Sequence, residues 1–514
     1  MSHSASIKLR LAISVGANTL RAIIGFATSL LIARALDPDG YGDLLFLLGS
    51  FAAFRSLLDL GSSNAFFTFL SRRARGRRFY QMYFFWLMFQ FMGTLLLVEV
   101  IIPSSVFDRI WLGHNREVVL LAFVAVFMQQ QIWQTVVQIG EAMRKTVQVQ
   151  FMNLTVALVY LTVVLLVLEY GQLTVELALL ILSCQYSVAV VAVAVAYRYL
   201  KKDIENPVAE DKSSEEILKE FWQYCKPMIV LAIIGFMYDF MSKWMLQKFG
   251  GSAQQGFFQI ANQFAAVSLF ATSSILNVFW KEIAHAWEMQ DRGRVAVLYQ
   301  KVSRGLVMLG ACISGLLLPW SEQLVSIFLG AAYTQAWPVL AIMLLYPIYQ
   351  SMGQIGGVML LARGFTKQYM YVSVATMLIS IPATYIILAP PTGILPGLEM
   401  GALGMASQLV VLAVGSVNVQ AWVISRCGGW KFDWASQIVV IPIMIGIGVA
   451  VKYFVGRIWV LENVGIQGLI LPVAVTIAAY LFIVSTVIWQ FPWLVGFERV
   501  EFRRMFSRIL RKTI

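Results

Sequence analysis

The chain has 514 residues, is 59% hydrophobic and only 13% charged, and sets 39 Lys and Arg against 27 Asp and Glu, a net charge of +12. With a mean hydropathy of +0.74, this composition excludes an ordinary soluble domain and describes a bundle of membrane helices. In such a chain a basic excess reports loops facing anionic lipid before it reports nucleic acid, and no nucleic-acid partner is expected. The four cysteines (Cys184, Cys225, Cys312, Cys427) and three histidines (His3, His114, His285) are dispersed without paired spacing, so no disulfide framework, metal site or cofactor is expected.

Windows of about 20 apolar residues recur fourteen times along the chain. They start near Leu9, Tyr41, Phe79, Val118, Val147, Thr174, Phe221, Phe257, Ser303, Trp337, Gln368, Gly401, Trp434 and Ile466. The first window is too long for a cleaved secretory signal and is expected to persist as a helix. Breaks carry turn chemistry, as in Asp37-Pro38-Asp39-Gly40 and Gly250-Gly251-Ser252, and the longest polar stretch, residues 201–220, reads as a flexible linker. With the N-terminus in the cytoplasm, 29 of the 39 Lys and Arg fall on the cytoplasmic side and six on the other. That bias predicts cytoplasmic termini and an even number of spans. The arginines of residues 72–78 and the basic tail, residues 499–512, are expected to anchor on anionic lipid, and Trp111, Trp320 and Trp459 to sit in interfacial belts.

The chain also reads as a duplication. Residues 36–53, read 213 positions on, fall on residues 249–266, and both stretches reach Phe-Ala-Ala. The fourth and tenth segments both carry glutamines and end in short basic turns at Lys145 and Lys367. This predicts a first lobe of six helices with its linker (residues 1–220), a second lobe of helices seven to twelve (221–430), and two accessory helices with a basic tail (431–514). The expected architecture is an all-α polytopic membrane protein, two six-helix lobes around a central cavity.

The charges inside the spans point to that cavity. Arg21 lies near the middle of the first span, and Arg55, one turn before Asp59, near the middle of the second. A cation at that depth costs about 3 kcal/mol on insertion scales, so it should face protein or water. Asn18, Arg21, Gly25 and Thr28 form one polar stripe, and Arg55 and Asp59 can partly neutralise each other. Asp239 and Lys243 repeat the theme on the seventh span; Asn262 and Gln263 stand on the eighth; and Gln130, Gln134 and Gln138 recur at i, i+4 on the fourth, with Glu141 continuing the face. Arginine and lysine match phosphate oxygens, while amides and hydroxyls suit sugars, so the expected cargo is a phosphorylated, glycan-like head group. Asp59, Asp239 and Glu141 are candidates for ion coupling. The competing reading makes the arginines structural partners of Asp59 and Asp239, Lys243 a snorkelling side chain, and the glutamines interhelical bonds. No phosphate-binding glycine loop, zinc-protease motif or nucleophile elbow is present, which argues against an enzyme.

Ala33-Arg-Ala-Leu-Asp-Pro-Asp-Gly-Tyr-Gly42, followed by Asp59-Leu-Gly61 and the turns ending at Lys145 and Lys367, resembles the bacterial polysaccharide flippases of the Wzx type, within the multidrug/oligosaccharidyl-lipid/polysaccharide (MOP) exporter superfamily. The resemblance implies an inner-membrane protein that flips undecaprenyl-diphosphate-linked oligosaccharides for O-antigen, capsule or exopolysaccharide synthesis by alternating access. It also implies that Arg21, Arg55 and Lys243 line a cationic lumen, with the lipid-linked glycan, the bilayer and polysaccharide-assembly proteins such as the polymerase as partners. A MATE-type drug exporter would want an acidic first helix, and the lipid II flippases carry an arginine on the eighth helix that is missing here. A polymerase or ligase would want a large outer loop. A non-transporting scaffold predicts silent lumen substitutions.

Overall fold

The computed structural model describes residues 3–199, 212–393, 395–429, 434–459, 466–497 and 499, and every regular element in it is helical. In chain order these are α1 (His3–Asp59), α2 (Ser62–Arg72), α3 (Arg77–Leu96), α4 (Ser104–Ile110), α5 (Arg116–Phe127), α6 (Gln134–Ala142), α7 (Thr146–Tyr170), α8 (Val175–Tyr199), α9 (Ser214–Cys225), α10 (Ile229–Glu288), α11 (Arg292–Leu317), α12 (Ser321–Leu329), α13 (Trp337–Met343), α14 (Tyr346–Ala362), α15 (Thr366–Leu388), α16 (Gly401–Gly428), α17 (Ala435–Ile458) and α18 (Ile466–Gln490). Helices close all their backbone hydrogen bonds within the segment, which is what a hydrocarbon surrounding demands.

Among the described residues twelve helical stretches are long and apolar enough to cross a membrane. Two of them, Ile13–Asp59 and Ser214–Val267, run to 47 and 54 residues. At 1.5 Å per residue each is far longer than a hydrocarbon core of about 30 Å. Each is broken once, at Asp37 (φ 55°, ψ 173°) in α1 and at Gly251 (φ 82°, ψ 175°) in α10. Each is therefore long enough for two crossings, which makes fourteen among the described residues.

The chain forms two compact units, Met1–Gly256 and Phe257–Ile514. In the first, α1 packs on α7, α5 and α8, and α2 on α6 and α9. Helix α3 shows how one helix serves two surroundings. Phe79, Tyr83, Leu87, Gln90 and Thr94, spaced three or four apart, are buried, while Phe84, Phe85, Phe89, Met92 and Leu96 are exposed on the opposite side as a lipid-facing stripe. In the second unit α11 packs on α14 and α17, and α16 on α14 and α15. The α11–α17 contact is a crossing of small residues, where a Cβ on Gly448 would lie 1.8 Å from the Gly315 carbonyl oxygen.

Three expectations are corrected. The repeat register is 214, not 213: Asp37 and Gly251 share one conformation, and their followers pack reciprocally, Gly42 against the Ser252 carbonyl and Gly256 against the Pro38 carbonyl. The basic stretch of residues 72–78 is not purely a lipid anchor. Arg75 is 2% exposed, pairs in bidentate fashion with Glu220 at 2.9 and 3.0 Å, and lies over the rings of Phe69 and Phe79. Its partner stands on α9, a helix with a full capping box at Ser213, so the end of the expected flexible linker is ordered against α2; residues 200–211 and 500–512 lie outside the described residues. Finally, Trp111 and Trp320 are each only 6% exposed. Trp111 stacks on Phe51 and packs at a tilt on Phe107 as core, not belt.

Candidate functional site

The break that ends α1 builds the site. Leu60 (φ 46°) and Gly61 (φ 84°) are consecutive left-handed residues, so the chain turns sharply and restarts as α2. Asp59, 9% exposed, bonds across that turn: its Oδ1 accepts the Ser63 backbone N–H at 3.0 Å, the Ser63 hydroxyl at 2.6 Å and the Ser62 hydroxyl at 2.9 Å. It thus satisfies orphan donors at the start of α2, as a capping carboxylate does. Helix α3 braces the same corner. Trp86 donates to the Ser62 hydroxyl at 3.0 Å, Gln90 donates to the Leu58 carbonyl at 3.1 Å, and the Tyr83 hydroxyl lies 3.3 Å from that of Ser63.

Into this corner projects Gln131, 2% exposed. Its Oε1 accepts a hydrogen bond from Arg55 Nε at 2.8 Å, and its Nε2 donates to Asp59 Oδ1 at 3.2 Å and to Gln90 Oε1 at 3.3 Å. Gln131 therefore stands between the two charges that the sequence paired directly. Among the described residues Arg55 and Asp59 form no ion pair, and the two terminal nitrogens of the half-buried Arg55 have no protein partner. A guanidinium held by Nε, with both Nη atoms unspent, presents the edge that grips a phosphate or carboxylate in two parallel bonds.

Gln131 reaches this position because residues Met128–Trp133 form a π-helical turn between α5 and α6. A π turn inserts one residue into the helical repeat and rotates everything beyond it, a device common at functional sites. Thr135 repairs the ladder by donating to the Gln131 carbonyl at 2.7 Å. The expected i, i+4 face of Gln130, Gln134 and Gln138 is consequently broken: Gln134 is exposed, whereas Gln138 is buried with its Oε1 lacking a protein partner among the described residues. The neighbouring Gln129 turns another way and donates to the Tyr186 hydroxyl on α8 at 3.3 Å.

Arg21 belongs to that second constellation. It is exposed and lies within electrostatic reach of Glu141 on α6 and Tyr186 on α8. Asn18, one turn earlier, is half-buried, and Thr28 turns inward to bond the Ile24 carbonyl. Lys243 is held elsewhere in the first unit. Its stem crosses Gly49, where a Cβ would come within 2.6 Å of Lys243 Cδ, and its Nζ donates to the Asp239 carbonyl at 3.3 Å. The half-buried Asp239 carboxylate and Lys243 attract each other without an ion pair among the described residues. Asn262 and Gln263 are half-buried in the second unit, and the Gln263 Oε1 lacks a protein partner among the described residues. Sequence reasoning missed Gln129, Gln131, Gln90, Tyr83 and Tyr186. The only signal was three consecutive glutamines inside an apolar span.

No protein-family model matches the chain, and no curated protein matches its sequence. Solved structures do. An outward-facing multidrug-resistance MATE transporter of the MOP superfamily superposes with a TM-score of 0.54 at 12% identity, covering 82% of this chain and 95% of its own. The fold is MATE-like. An inward-facing MATE transporter of the same superfamily gives 0.56 at 14% identity, covering 80% and 96%. A MOP superfamily transporter from Pyrococcus furiosus, described as having a binding pocket of reversed polarity, gives 0.52 at 13% identity, covering 82% and 95%.

Proposed function

We propose that the chain is a transporter that flips a lipid-linked oligosaccharide with a diphosphate head, of the undecaprenyl-diphosphate type, across the bacterial inner membrane for surface polysaccharide assembly. Arg55 is the primary ligand for the diphosphate and Arg21 the second cation on its path. The observation that carries this reading is the braced, half-free guanidinium of Arg55, which Gln131 orients while Asp59, engaged with the α2 cap, forms no ion pair with it among the described residues. Moving such a cargo requires binding and release, not bond chemistry, so no enzymatic activity is assigned. Glu141, beside Arg21, and Asp239 are the coupling candidates. The glycan, the bilayer and the polymerase are the proposed partners, and both termini are placed in the cytoplasm.

The solved MATE neighbours favour a second reading, export of a small drug-like molecule. The Pyrococcus furiosus transporter indicates that pocket polarity varies within this fold, and the arginines then argue for an anionic cargo rather than the cationic drugs an acidic pocket would suit.

The test is complementation of a strain lacking this gene. Arg55→Ala and Arg21→Ala are compared with the exposed Arg72→Ala at matched membrane abundance, scoring surface polysaccharide and cytoplasmic lipid-linked precursor. Precursor should accumulate in the first two and not in the third. If all three match the wild type, anionic cargo binding at these arginines is wrong; drug efflux from the same cells then decides the exporter reading.

A further inference from the structure

A second polar cluster of the first unit sits where α1 and α10 bend. Asp43 lies just past the Asp37 kink, and Gln247 and Ser252 flank the kink at Gly251. Asp43 Oδ1 accepts the Ser252 hydroxyl at 2.6 Å and Gln247 Nε2 at 2.7 Å; Gln247 also donates to the Ser252 hydroxyl at 2.8 Å. Between α4 and α5 the chain passes through two left-handed residues, Leu112 (φ 52°) and Gly113 (φ 85°), which turn His114 back onto the same carboxylate. His114 Nε2 is 3.4 Å from Asp43 Oδ1, and Phe46 packs beside the ring.

The other side of the imidazole also meets an acceptor. Nδ1 lies 2.6 Å from the Trp111 carbonyl oxygen, an acceptor only. Neutral imidazole has a single N–H and would leave one nitrogen lone pair against an acceptor, whereas imidazolium donates at both. An acceptor at each ring nitrogen, one of them a carboxylate, favours the protonated ring. The groups lie on a cavity of about 500 Å³ lined by Asp43, Leu112, Gly113, His114, Gln247, Lys248 and Ser252. Gln247, 6% exposed, offers an Oε1 with no protein partner among the described residues. The other charged groups around the ring do not replace Asp43. Lys248 of α10 lines the cavity but lies over the rings of Trp244 and Phe249; Arg116 of α5 is held by the Glu99 and Ile102 carbonyls; Asp108 and Arg109 of α4 and Glu117 of α5 make no hydrogen bond to the ring.

We propose that His114 and Asp43 form a proton-binding site that latches the α4–α5 loop to the two kinks of α1 and α10, and that loss of the proton frees them. Burial pushes the ring towards neutrality, but the Asp43 carboxylate and the Trp111 carbonyl outweigh it and hold His114 above its ordinary value. The sign follows. A group held above its unfolded value of about 6.5 stabilises the latch fully below that pH, and the contribution is lost as pH rises through the raised value. The latch is closed in acid and open in base. This site is separate from Arg55 and Arg21 and does not depend on what the protein carries.

The experiment uses the full chain in lipid nanodiscs with labelled histidine, in a His3→Gln, His285→Gln background so that only His114 reports. Ring nitrogen shifts followed against pH should give a midpoint above the ordinary histidine value, and Asp43→Asn should move it down. Deuterium uptake in residues 37–43 and 247–252, corrected for intrinsic exchange, should rise across that midpoint, and His114→Gln should abolish the pH dependence. A wild-type ring that titrates at or below the ordinary value overturns the proposal, and so does uptake unchanged across the midpoint. Both readings come from a chain with Asp43 and His114 intact, so they stand even where a substituted chain fails to fold.

Discussion

The two kinked helices, α1 and α10, are the same backbone device with different contents. Each joins two crossings through one residue at positive φ and extended ψ, and the crossing glycines that follow, Gly42 and Gly256, seat against each other's chain in mirrored fashion. Yet 214 positions beyond Arg21, Asp43, Arg55 and Asp59 stand Gly235, Phe257, Leu269 and Ser273. None of these four charges has a charged counterpart there, and the second stretch carries Asp239 and Lys243 at other positions. The two stretches share what the backbone needs, a break and a close approach, and differ in the polar side chains placed around it. At the kink itself the copies also differ, because Asp37 adopts a conformation that Gly251 adopts without a Cβ.

That comparison can be broken in several places. The largest effect should come from the shared crossing. Gly42→Val and Gly256→Val drive a side chain into the Ser252 and Pro38 carbonyls, where even a Cβ would sit at 1.8 and 2.2 Å. Overpacking of this kind costs about 1–3 kcal/mol or more, and with backbone in the way both variants should lose most folded protein in detergent melting. Equal melting to wild type would refute the reciprocal crossing. Next, Asp59→Ala strips the α2 cap and leaves buried hydroxyl and amide donors unmet, for a loss of roughly 2–4 kcal/mol in the same assay. Asp59→Asn should recover part of it, since the amide oxygen can still accept.

Gln131→Leu tests the brace more finely. Arg55 keeps its charge but loses its fixed plane, so transport should fall about tenfold, the ratio of one charge-assisted bond, with folding only modestly affected. Gln134→Leu, three positions along the same segment, should transport as wild type; a loss there as large as at Gln131 would restore the i, i+4 face. The smallest effect is expected at the kinks. Asp37→Gly removes strain of about 1–3 kcal/mol but adds chain entropy of roughly 0.5–1 kcal/mol to the unfolded state, so it should be neutral or slightly stabilising, whereas Gly251→Ala should destabilise.

Much of the architecture is legible in residue order, and the reasons are local. Fourteen apolar windows are visible because hydrocarbon requires length and hydrophobicity of each span separately. The Gly-rich and Pro-containing breaks at Asp37-Pro38 and Gly250-Gly251 announce themselves because only a few residue types suit those dihedrals. The repeat is visible too, but its register is not. Matching Phe-Ala-Ala at 213 follows side-chain identity, while the kinks and crossings that define equivalence follow 214. Within the site, Arg55 and Asp59 are conspicuous as charges inside an apolar run. Gln131 is not, because the π turn that aims it packs on α8 and its side-chain partners stand on α1 and α3.

By itself, then, the sequence determined an all-helical membrane protein, its apolar windows, the breaks at Asp37-Pro38 and Gly250-Gly251 and the unusual arginines Arg21 and Arg55. Only the tertiary structure decided which partner each charge takes. Arg55 bonds Gln131 rather than Asp59, Asp59 caps α2, Arg75 pairs with Glu220 145 positions away, and His114 meets Asp43 across a turned loop. The physical reason is range. Hydrophobicity and turn chemistry act within a few residues, whereas a buried polar group must find its partner wherever helix phase brings one, and one inserted residue changes that phase.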